Sequence, residues 1–88
     1  MELMSVEVFS QASNQAVVRM PGRKFPGIVV QGDSLAILVH SAEMIHQLAK
    51  TTANEELVDE CTELLESLKV RLQFYEQVIA EHGIPKPY

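Results

Sequence analysis

The chain has 88 residues, 47% of them hydrophobic, and a formal net charge of −5. That length fits one domain, 1–88, with a core that is marginal alone and gains from self-association. A lone cysteine excludes an internal disulfide framework, and the acidic balance opposes binding to nucleic-acid phosphates.

The N-terminal part, 1–32, reads as β-rich. Ser5 to Gln11 alternates weakly and carries Val and Phe, which predicts a strand. The polar run Ser10 to Asn14 predicts a turn, and Gln15 to Met20 a second strand paired antiparallel to the first. Pro21-Gly22-Arg23-Lys24-Phe25-Pro26-Gly27 then brackets a basic, aromatic tip between turn formers, a structured loop and not a linker. The neighbours Ile28, Val29 and Val30 predict a short third strand within Gly27 to Gln31.

A first helix is expected over 33–50, with Asp33 as its cap. Leu35, Leu38, Ala42, Ile45 and Leu48 form its expected core stripe, widened by Ile37, Ser41, Met44 and Ala49. Thr51 to Asn54 breaks it, with Thr52 and Asn54 competing to cap the next helix.

Residues 54–82 read as one long helix with a seven-residue apolar repeat. Val58, Leu65, Leu72 and Ile79 mark one position; Cys61, Leu68, Tyr75 and His82 mark the other. Cys61 is therefore expected as a small buried hydrophobe and not as a reactive thiol. Gly83 predicts a left-handed stop, and Pro85 and Pro87 keep the tail 83–88 extended. At 1.5 Å per residue the helix is roughly 43 Å long, against a diameter near 30 Å for a compact globule of this size. The rod outgrows its own chain, which predicts a homodimer packed through the uncovered end of the long helix. The expected fold is α+β: a small antiparallel sheet of two to three strands followed by a helical hairpin with a long C-terminal helix.

Three motifs are set against plainer explanations. Gly32-Asp33-Ser34-Leu35 resembles the nucleophile block of the esterase and lipase family named after those four residues. That chemistry needs a histidine base with an orienting acid, which the family supplies as Asp-x-x-His. This chain has no such pair and is too short for that fold, so helix capping is the expectation. His40, Glu43 and His46 include one Glu-x-x-His, half of a di-iron pattern, but no second copy occurs; no metal and no cofactor are expected. Val17-Val18-Arg19-Met20-Pro21 resembles the strand of ribbon-helix-helix repressors. Gly22, Pro26 and Gly27 forbid the helix that must follow, so no nucleic-acid binding is expected.

The stretch from Val6 through Leu35, with Asn14 to Gly27 as its core and Gln31 to Leu35 after it, is similar to a family of small bacterial proteins of unknown function. The ending His82 to Tyr88 is similar as well. The resemblance implies a bacterial origin and a free-standing domain, and it assigns no activity or site. From the residues themselves, the expected function is that of a non-enzymatic interaction or ligand-binding module. Its expected working surface is Asn14, Gln15, Arg19, Arg23, Lys24 and Phe25, polar and basic groups around a rigid loop. The alternative is an acidic inhibitor of immunity type that masks a basic partner with Glu55, Glu56, Asp59, Glu60 and Glu63. A small enzyme ranks behind both. The longest apolar run, Leu35 to Val39, is far short of a membrane span, and no signal peptide is read at the N-terminus, so a cytoplasmic protein is expected.

Overall fold

The computed structural model describes residues 1–88. Two compact units divide at the point where β character gives way to helix: Met1–Gln31 and Gly32–Tyr88.

In the first unit, β1 (Glu7–Ser10), β2 (Ala16–Arg19) and β3 (Gly27–Val29) form an antiparallel sheet in the order β1-β2-β3. The strands are shorter than the apolar pattern predicts because turns claim their ends. Asn14 takes a left-handed φ of 60°, and the Gln15 N–H bonds the Ala12 carbonyl at 3.0 Å, closing the first hairpin. Met20-Pro21-Gly22-Arg23 is a second tight turn. Pro21 presets its φ, Gly22 sits at φ 79°, and the Arg23 N–H reaches the Met20 carbonyl at 3.1 Å. A register shift between Val8 and Ser10 makes a β-bulge at Phe9. Cross-strand pairs sort the side chains. Val8, Val18 and Gly27 share one face with Ala16 and Val29; Glu7, Arg19, Val17 and Ile28 share the other. No residue of this unit is fully buried; the central β2 is half-buried along its length.

The second unit is an antiparallel pair, α1 (Gly32–Lys50) and α2 (Glu55–Glu81). Asn54 wins the competition to cap α2. Its side-chain oxygen accepts from the Leu57 N–H at 3.0 Å, while Thr52 donates back to Ala49 at 2.7 Å and ends α1. Glu55 and Glu56 add negative charge at the positive end of the α2 dipole. At the far end Gly83 stands at φ 68°. The Gly83 N–H bonds Ala80 at 3.1 Å and the Ile84 N–H bonds Ile79 at 2.9 Å, the two bonds of a Schellman stop.

From Val58 to Tyr75 the seven-residue seam of α2 faces α1 as its spacing predicts: Leu65 is buried, and Val58, Cys61, Leu68, Leu72 and Tyr75 are half-buried. Ile79 is buried beyond the end of α1, and His82, the last position of the expected repeat, is the exposed C-cap. The stripe expected on α1 is corrected. The inward face is Gly32, Leu35, Val39, Ala42, His46 and Ala49, spaced alternately three and four. Val39, Ala42 and Leu65 form the core, with Leu68 and Leu72 against it. Leu38, Ile45 and Leu48, assigned to the core by their bulk, point outward, as do Ile37 and Met44. Small residues win the seam because they let the two backbones approach. At Gly32 a Cβ atom would lie well inside contact distance of Cζ of Tyr75.

Gly32→Ala is therefore expected to displace Tyr75 and lower stability by about 1–2 kcal/mol. The loss should shrink in a Gly32→Ala/Tyr75→Leu double variant. Thermal unfolding of the four members of that cycle measures the coupling.

Candidate functional site

The residues expected to form a working surface all fall in the first unit, in two structural roles. Arg19 is spent internally. Its guanidinium makes an ion pair with Glu7, lies 5.4 Å from the Phe9 ring centre, and donates to the Lys24 carbonyl at 3.4 Å. It ties β1, β2 and the loop together, an exposed arrangement of about 0–1 kcal/mol per pair. Asn14 and Gln15 belong to the β1–β2 turn, where their backbone conformation is what the fold uses.

Arg23, Lys24 and Phe25 come together on the loop between β2 and β3. Phe25 is 72% exposed, and the Lys24 ammonium stacks 5.3 Å from its ring centre. The Arg19 bond to the Lys24 carbonyl fixes the base of this tip, and the Pro21-Gly22 turn fixes its start. Beside it opens a cleft of about 580 Å³ lined by Val18, Met20, Arg23, Phe25, Pro26, Gly27, Ile28 and Val29. Met20 and Ile28 are half or more exposed there. Sequence reading placed each of these two apolar residues in a strand and did not assign it to the working surface. The result is a shallow apolar floor with cations on its rim. Its lining holds no nucleophile paired with a general base.

The acidic residues of α2 belong to the second unit. Glu55, Glu56, Asp59, Glu60, Glu63 and Glu66 are exposed, and none takes part in an ion pair; the chain's two ion pairs are Arg19–Glu7 and Lys86–Glu76. His40, Glu43 and His46 do not gather with further metal-binding side chains. His46 turns inward. Thr62 spends its hydroxyl proton on the Val58 carbonyl at 2.8 Å, so the His46 Nε2–H must be the donor to Thr62 Oγ1 at 2.9 Å. This polar layer within the seam fixes the ring tautomer. Asp33, from the esterase-like block, accepts from the Ser34 N–H at 2.8 Å within the first turn of α1.

The chain belongs to a family of unknown function, DUF6959, over residues 1–88. No curated protein and no solved structure matches it. No helix of this DUF6959 chain is long and apolar enough to cross a membrane.

One cluster was not foreseen from sequence. Beyond the Schellman stop the tail returns along α2, where Glu76 accepts from Lys86 Nζ at 3.0 Å and from the Tyr88 hydroxyl at 2.8 Å. Gly83 followed by Pro85 was the available signal, since a left-handed stop reverses the chain. The hydrogen bonds from Lys86 and then Tyr88 hold the Glu76 carboxyl below its ordinary value. Desolvation against the helix, then the bond to Glu76, pushes the Tyr88 phenol up to about 12. The raised phenol stabilises the docked tail fully below pH 10, and that contribution is lost as the pH climbs through 12. The lowered carboxyl contributes above pH 4.5 and is lost as the pH falls through its folded value. Phenolate absorbance should show one tyrosine titrating near 12, absent in Tyr88→Phe and shifted down in Glu76→Gln.

Proposed function

We propose that this protein is a non-enzymatic interaction module, cytoplasmic and bacterial, that works as a homodimer and uses the loop tip Arg23, Lys24 and Phe25 to hold an acidic segment of a partner protein. The observation that carries the reading is the division of labour in the loop. Arg19 is consumed in holding it, while Arg23 and Lys24 take no ion pair and stand with the exposed Phe25 ring beside an apolar cleft. Aromatic and arginine side chains in such a setting supply most of the energy at protein interfaces. Tight turns on both sides reduce the ordering cost on binding.

Two exposed charge pairs of about 0–1 kcal/mol each and partial burial of one aromatic ring add to roughly 2–3 kcal/mol, a factor of 30–150 in affinity. A fluorescent peptide alternating Glu and Leu is expected to bind the wild-type chain. The Arg23→Ala/Lys24→Ala/Phe25→Ala variant should weaken that binding by at least tenfold, and added salt should weaken it in the wild type. Equal affinity of the two proteins for the peptide would make the loop purely structural.

A second reading rests on the unpaired acids of α2: an inhibitor that masks a basic protein. Their stripe spends none of its charge within the chain, so its field is available to steer a cationic partner. Binding to a basic protein that is salt-sensitive and lost on Glu56→Lys/Glu60→Lys would favour this reading over the first.

A further inference from the structure

We infer that the outer apolar side of the helical hairpin seats a second copy of this chain, about a two-fold axis crossing α1 near Ser41 and α2 near Leu65. The inference rests on the homodimer part of the reading above and gives it a surface other than the bare end of the long helix.

The hairpin has two flanks. Its antiparallel helices are themselves related by a two-fold across their seam, so equivalent positions of the repeat lie on one side. One flank is polar, with Glu43 and Lys50 from α1 and Glu55, Lys69 and Glu76 from α2. The other carries Leu38, Ile45 and Leu48 from α1 and Leu57, Leu64 and Phe74 from α2, each 42–67% exposed. At ~150 Å² for a large side chain, these six with Ile37 and Met44 at the margin leave roughly 700 Å² to bury, close to the ~800 Å² per partner of a stable interface. Packing two such sides together makes a four-helix bundle.

Charge selects a second copy as the occupant. Near the middle of the apolar flank of α2 stand Glu60 and Arg71, of opposite sign, and neither takes an intrachain ion pair. Arg71 is held along its own helix by Ser67, at 2.8 and 2.7 Å. If α2 crosses its copy antiparallel, Glu60 meets the copy's Arg71 when the axis falls midway between them, at residues 65–66; Leu64 then meets Ser67. On α1 the midpoint of Leu38 and Ile45 falls at residues 41–42, with the small Ser41 at the crossing. The two axis positions depend on different residues, and the hairpin register makes them agree. Gly32 faces Tyr75 and His46 faces Thr62, which sets residues 41–42 opposite 65–66. One axis therefore satisfies the apolar pairing on α1 and the charge pairing on α2.

Sedimentation equilibrium of the full chain tests this, with helicity by circular dichroism as the control for folding. The wild type is expected to dimerise at micromolar concentration. Glu60→Arg and Arg71→Glu should each raise the dimer Kd about tenfold, and the double variant Glu60→Arg/Arg71→Glu should restore it. Leu38→Glu should raise it at least a hundredfold, with Leu38→Gln taking its place if the charged variant loses helicity. His40→Glu, on the opposite flank, should leave it unchanged. A wild type that stays monomeric would overturn both the homodimer and this surface. A wild-type dimer indifferent to all the face variants would overturn this surface and leave the homodimer standing. A double variant no tighter than either single would overturn the shared axis.

Discussion

The close approach of two helices along a seam of small residues governs the second unit. Gly32, Ala42 and Ala49 on α1 give up bulk so that Leu65, Leu68, Leu72 and Tyr75 on α2 can reach the opposing backbone. The cost is a thin interior, since five apolar residues are buried in the whole chain. Burial of one such aliphatic side chain is worth about 1.5–3 kcal/mol, so this seam alone is a small store of stability. The bulky residues excluded from it are the ones left on the outside of α1. Exposed Leu38, Ile45 and Leu48 and a seam of glycine and alanine are two results of one geometric choice.

The same choice explains how the long helix is completed. With Gly32 opposite Tyr75, the six residues of α2 from Glu76 to Glu81 have no counterpart on α1. The chain meets this locally, reversing at Gly83 and returning Lys86 and Tyr88 to Glu76. Ile79, within that stretch, is buried. The bare length of the rod is therefore shorter than helix arithmetic alone implies.

Element order, helix limits and the α2 seam were legible in the sequence because each depends on local or periodic signals: Asn54 before a run of acids, Gly83 before Pro85, and apolar residues every third and fourth position. The inward face of α1 was not legible. Two apolar stripes share that helix, and periodicity favours the bulkier one, whereas interhelical distance favours the smaller. Of the candidate site, the exposed cations and ring of Arg23, Lys24 and Phe25 could be read from flanking Pro and Gly. The consumption of Arg19 by Glu7 could not, since a register between strands decides it. The partnership of His46 with Thr62 was hidden for the same reason: it spans sixteen residues and needs both helices in place.

The sheet's free margin has a consequence for how these molecules can meet. β3 is three residues long and is preceded by Pro26, which has no amide hydrogen to offer. The opposite margin, β1, is distorted by the bulge at Phe9. Neither border presents the long, flat ladder of donors and acceptors on which strands of separate molecules zip together. Short length on one side and the bulge on the other disfavour strand-by-strand accretion at either border of the sheet.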